Sequence, residues 1–167
     1  MKKKTKNKAP ITVEQLRELT ERSLTEEQIY RGLVNHLKEF YPSLEGLWHF
    51  DRDLNYNPKL NFRHRKEMAL YRDLNSVGFP DFTLAVPMYD DIGGIVFTAL
   101  YLEIKTADKK VYKKDGTLYA DEHLQAQAEI HQKLRETGKA CCGFVLGLRS
   151  AIEAVDNYLK GLNPFAQ

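Results

Sequence analysis

The sequence predicts an α/β domain whose mixed central sheet is flanked by helices, in the order helix, three strands, helix, strand, helix. Three observations carry this reading. First, two apolar stretches, FPDFTLAVP (79–87) and IVFTALYLEIKT (95–106), are joined by a short polar link, MYDDIGG, so an antiparallel hairpin is the default. Second, a further apolar run, ACCGFVLGL (140–148), follows a helical stretch, and a strand–helix–strand step implies a parallel crossover. Third, a capped amphipathic helix precedes all of the strands.

In chain order, MKKKTKNK opens a basic, non-periodic tail over 1–10, and one domain is expected over 11–167. ITVEQLRELTERSL can form a short helix on Ile11, Leu16 and Leu19. The first core helix starts at Thr25, an N-cap with Gln28 three residues on, and carries Ile29, Leu33, Leu37 and Phe40 at helical spacing before Pro42. Glu26, three residues before Ile29, lies on the edge of the buried face, an odd place for a carboxylate that has no task. LEGLWHFDRDL reads as a strand and FRHRKEMALYRDLNSVG as a helix stopped by Gly78. Turn residues around Ile92 join the hairpin, which makes 95–106 the longest strand. A helix is expected from about Asp121 to Thr137 with Gly138 as its stop, and a last helix is capped by Ser150 with Glu153 and closed by Gly161.

At 167 residues the chain suffices for one domain with a real core and is short for two. It has neither an apolar run of membrane-spanning length nor the apolar segment of a signal peptide near its start, so a cytoplasmic protein with no membrane association is expected. The net charge of +2 rules out a strong overall field for polyanions, but the basic residues are clustered. Arg63, Arg65 and Lys66 form one cluster and Lys109, Lys110, Lys113 and Lys114 another, each able to neutralise phosphates or simply to solvate a loop. The adjacent Cys141 and Cys142 point to opposite faces of a strand, which makes them small apolar residues rather than a disulfide.

The chemistry concentrates at the end of the hairpin. Glu103 and Lys105 are two apart in a strand and share a face, while Leu102 and Ile104 point into the core. If Asp90 faces Gly94 across the turn, unbulged pairing sets Asp81 opposite Glu103, with Cβ atoms about 4.5–5.5 Å apart. Two carboxylates that close repel unless one takes a proton or a cation lies between them. Hard oxygen ligands favour Mg²⁺ or Mn²⁺, and Lys105 would then balance charge on a phosphate or help to deprotonate a water.

Pro80–Asp81 followed by Glu103-Ile104-Lys105 resembles the PD-(D/E)XK nuclease signature. Together, GFPDFTLAVP, YLEIKT and LQAQAEIHQKLRETGKACCGFVLG are similar to its VRR-NUC branch, over Gly78 to Gly147 and more weakly over the first core helix. The resemblance implies a restriction-endonuclease-like αβββαβ core. It also implies metal held by Asp81, Glu103 and the carbonyl of Ile104, a catalytic Lys105, a site-facing Gln127 in preference to Gln125, and a first-helix glutamate at Glu26 in preference to Glu27. His131 lies one turn after Gln127 and is placed either to reach substrate or to pack. The implied activity is a metal-dependent endonuclease acting on DNA, selective for branched or Holliday-junction-like structures and often homodimeric. Its small size and lack of an appended helicase suggest a stand-alone enzyme of a phage or mobile element. The alternatives are a non-catalytic DNA-binding module on the same fold, and a sequence-specific or RNA-directed nuclease with the same metal site.

Overall fold

The structure is a computed structural model that describes residues 19–51 and 78–166. The basic tail, the start of the first helix, the expected helix before Gly78 and the Arg63, Arg65 and Lys66 cluster lie outside the described residues. Residues 19–23 are helical and lead into α1 (Glu26–Phe40). The reciprocal cap expected there is present. Gln28 N–H donates to Thr25 Oγ1 and Thr25 N–H donates to Gln28 Oε1, satisfying two donors that the first turn leaves open. Ile29, Leu33 and Leu37 are fully buried. Phe40, expected beside them, is 61% exposed. Tyr41 takes the inward position instead, packing against the core as the chain turns into a 3₁₀ turn at Pro42–Leu44.

The central sheet has four strands, β1 (Trp48–Phe50), β2 (Phe82–Leu84), β5 (Leu100–Lys105) and β6 (Cys141–Leu146), in that spatial order. β1 and β2 pair antiparallel, β2 and β5 antiparallel, and β5 and β6 parallel, which gives the mixed sheet that the element order predicts. Partners in β2 and β5 are Phe82 with Leu102, Thr83 with Tyr101 and Leu84 with Leu100. One step further along that register, Asp81 meets Glu103. At the turn, Asp90 N–H donates to the Gly94 carbonyl, and Asp90 Oδ1 accepts from the N–H groups of Ile92 and Gly94.

Between turn and sheet the hairpin differs from expectation. Met88, read as part of the turn, begins β3 (Met88–Tyr89), which pairs with β4 (Ile95–Phe97) in a separate ribbon with a register shift. The expected strand 95–106 is therefore two strands. The interruption has a cause in Thr98, whose N–H donates to the Lys139 carbonyl and whose hydroxyl donates to the Gly138 carbonyl. Its polar groups are committed to the end of a helix instead of a strand ladder.

That helix is α2 (Glu122–Gly138), started by Asp121, whose carboxylate accepts from the N–H groups of His123 and Leu124. Gly138, expected as its stop, is still helical, and Lys139 takes the left-handed conformation at φ 49°. The last helix, α3 (Gly147–Leu159), begins ahead of Ser150. Gly147 turns the chain at φ 81°, and Glu21 accepts from Arg149 N–H, so a distant carboxylate does the capping expected of Ser150. Gly161 follows the end of α3 at φ 77°, as expected.

Leu100, Leu102 and Ile104 point from one face of β5 into a core shared with Ile29, Leu33, Leu37, Val145, Ala151, Val155 and Tyr158, so α1 and α3 cover that face. α2 packs on the other face against β6. Cys141 and Cys142 are free and buried, and the Cys142 thiol donates to the His131 carbonyl at 3.1 Å. No helix among the described residues is long and apolar enough to cross a membrane.

Candidate active site

β2 and β5 run antiparallel, so the start of β2 and the end of β5 form one edge of the sheet, and α2 lies over the face that Glu103 and Lys105 share. Glu103 is 1% exposed and Lys105 is buried beside it, with the ammonium donating to Glu103 Oε1 at 2.6 Å. Gln127 Nε2 donates to the same oxygen from α2. Glu103 Oε2 is also buried and has no hydrogen-bond partner among the described residues, nor has Gln127 Oε1. A charged oxygen left this way costs free energy unless something fills its acceptor site.

Asp81 is held on both sides. Its Oδ2 accepts from the Ile104 N–H at 2.8 Å, and the Tyr30 hydroxyl of α1 is hydrogen-bonded to its carboxylate. The N–H and C=O of one residue in an extended strand point to the same side, so the Ile104 carbonyl faces the edge where Asp81 lies. Asp81 and Glu103 lie close enough for the charge of each to act on the other. Burial raises the pKa of both; Glu103 is pushed up to about 8, by burial first and by the neighbouring Asp81 charge second, against the pull of Lys105. The Ile104 N–H and Lys105 oppose the rise at Asp81.

The paired oxygens, the orphaned Glu103 Oε2 and the nearby peptide carbonyl suit a hard divalent cation, which needs only one or two carboxylates and keeps waters for the rest. Among the described residues no group of three or more His, Cys, Asp or Glu could hold a metal ion.

The structure brings Asp81, Glu103, Lys105 and Gln127 together. Gln125 is exposed and turned away. Glu26 is exposed at the first turn of α1 but close enough for its charge to act on Asp81 and Tyr30, whereas Glu27 pairs outward with Arg31 at 2.7 Å. His131 is 2% exposed, packs on Phe144 at 4.8 Å between ring centroids, and is pulled down to about 4 by burial, so it serves packing. Lys109, Lys110, Lys113 and Lys114 are exposed, with Lys109 Nζ 3.5 Å from Asp121. Sequence reasoning missed Tyr30 and His123, whose Nε2 lies 3.0 Å from Gln127 Nε2. Both stand four residues, one helical turn, from a residue it did single out, Tyr30 after Glu26 and His123 before Gln127.

No protein-family model and no curated protein matches the chain. A solved structure described as a VRR_NUC domain protein is similar, with a TM-score of 0.54 at 18% sequence identity, covering 84% of this chain and 93% of that one. At that identity the likeness speaks to the fold, and the two share an α/β architecture with a mixed sheet flanked by helices.

Proposed function

We propose that the protein is a metal-dependent endonuclease of the PD-(D/E)XK kind that hydrolyses DNA phosphodiester bonds, with branched or junction-like DNA as its preferred substrate. The observation that carries this reading is the buried Glu103 beside Asp81, which keeps one oxygen unpartnered while a lysine and a glutamine hold the other. A structural ion pair closes on itself; this one leaves an acceptor for a ligand.

Asp81, Glu103 and the Ile104 carbonyl would hold Mg²⁺ or Mn²⁺, which when bound offsets phosphate charge and lowers the pKa of water. The remaining work falls to the chain. The Ile104 N–H and the Tyr30 hydroxyl keep Asp81 aimed at the edge. Gln127 and Lys105 fix Glu103 through Oε1, leaving Oε2 free. The Lys105 ammonium, buried beside Glu103 at the end of β5, would offset charge that develops on the phosphate and orient the attacking water. Lys109, Lys110, Lys113 and Lys114 hold the backbone, so binding weakens steeply with salt. Paired cuts across a four-way junction call for two such sites, hence a homodimer acting in the cytoplasm of its host.

The test is cleavage of labelled four-way junction, flap, single-stranded and plain duplex DNA with Mg²⁺, Mn²⁺ or EDTA, for the native chain and Lys105→Ala. Metal-dependent cutting that the variant loses supports the reading. Binding without cutting under any metal points instead to a non-catalytic module, and equal cutting of duplex and junction removes the structural selectivity.

A further inference from the structure

The loop between Lys105 and α2 is an ordered ribbon with an aromatic side chain on a basic surface. Lys113 N–H donates to the Thr117 carbonyl, Tyr119 N–H to the Val111 carbonyl, and Tyr112 bridges Leu118. Gly116 turns the tip at φ 80°, and Asp115 Oδ1 accepts from both the N–H and the hydroxyl of Thr117. Val111, 1% exposed, pins the base of the ribbon. Over the loop, 106–121, four lysines stand against three carboxylates, Asp108, Asp115 and Asp121, a net charge of +1; Lys109 pairs with Asp121, which leaves Lys110, Lys113 and Lys114 as the lysines around Tyr112. Amid them Tyr112 leaves 50% of its surface open.

Tyr112 also lies beside the candidate site. Glu103 and Phe144 are register partners in β5 and β6, so their side chains share a face. The Tyr112 ring stands edge-to-face on Phe144, with centroids 6.0 Å apart at 87°. One side chain therefore separates the exposed tyrosine from the paired carboxylates. Tyr119 belongs to the opposite face of the ribbon, because it is bonded across to Val111 while Tyr112 is paired with Leu118.

We infer that Tyr112, with Lys110, Lys113 and Lys114, forms a stacking platform for unpaired nucleotides of the DNA next to the reacting phosphate. The lysines suit any phosphodiester chain, but a tyrosine ring adds binding only where a base face is free, and paired bases hide theirs in the stack. This rests on the proposed function for the choice of DNA as ligand, and it names the feature of branched DNA that the site would read: the bases left unpaired at a branch or gap.

Fluorescence anisotropy in EDTA, with the full chain, tests it on three labelled probes: a blunt duplex, the same duplex with a short thymidine gap, and single-stranded oligothymidine. The native chain is expected to favour the gapped and single-stranded probes. Tyr112→Ala should lose about tenfold in affinity for those two and little for the blunt duplex. Tyr112→Phe should keep the preference. Tyr112→Leu, which preserves apolar contact with Phe144 and so guards against a folding artefact, should lose it as the alanine does. Tyr119→Ala should leave it unchanged. Equal loss on all three probes, no loss on any, or a leucine variant that binds like the native chain would overturn the platform. Cleavage with Mg²⁺, run in parallel, separates the two ideas. Preference for unpaired probes without cutting sinks the endonuclease alone, while cutting with no Tyr112 dependence sinks the platform alone.

Discussion

Two inward-turned carboxylate clusters occupy opposite faces of the central sheet, and they end differently. Where α1 meets α3, Asp156 Oδ1 accepts from the Tyr41 hydroxyl at 2.9 Å and lies 2.8 Å from His36 Nε2. No atom of Asp156, His36 or Tyr41 is buried without a partner. On the other face Glu103 binds Lys105 and Gln127 through one oxygen and leaves the second, fully enclosed, with none among the described residues. A closed polar network rigidifies a helix pair. An open one costs stability until a ligand completes it, the usual physical mark of a site.

The largest expected effect breaks the open cluster. Lys105→Ala should lower single-turnover cleavage by at least about 10²-fold while leaving metal-free DNA binding intact. Asp156→Ala should leave the cleavage rate of the folded protein near the native value. A rate lost equally in both variants would erase the contrast.

His131, behind the open cluster, sharpens it through pH. Its Nε2 is a further buried atom without a partner among the described residues, and burial pulls its pKa from 6.5 to about 4. The unfolded chain takes up a proton below about 6.5 that the folded one refuses, so this stability is complete above 6.5 and drains as pH falls towards 4. The loss is on the order of 3 kcal/mol at most. His131→Leu should flatten the fall in Tm between pH 6.5 and 4.5, and an unchanged slope would show that the ring titrates freely when folded.

Next in size is the closed cluster itself. Asp156→Ala strips the acceptor from Tyr41 and His36 and should cost about 1–3 kcal/mol in urea unfolding. A neutral result would mean that packing alone joins α1 to α3.

The smallest effect concerns Tyr30. Tyr30→Phe removes the hydroxyl bonded to Asp81, and the Mg²⁺ concentration for half-maximal cleavage should rise about tenfold with the rate at saturating metal retained. A loss of rate at saturating metal would instead give Tyr30 a part in the reaction.

Much of this could be read along the chain. Thr25 with Gln28 announced the cap of α1, and counting from Asp90 and Gly94 aligned Asp81 with Glu103, although the ladder between them is not the unbulged one expected, being shifted at Met88 and interrupted at Thr98. Strand parity put Glu103 and Lys105 on one face. These succeed because they depend on neighbours a few residues apart or on one hairpin, where backbone geometry leaves few choices.

What tertiary structure decided involves partners far apart in sequence. Thr98 breaks the long strand by bonding the end of α2, Glu21 moves the start of α3 ahead of Ser150, and Tyr41 displaces Phe40 from the core. No local pattern announces which distant donor meets which acceptor. The open state of the site was decided the same way. The sequence placed its carboxylates and lysine by period and register and its glutamine by resemblance, but only packing of α2 on the sheet sealed Glu103 Oε2 from water without supplying it a partner, because burial belongs to the assembled layers and not to the strand.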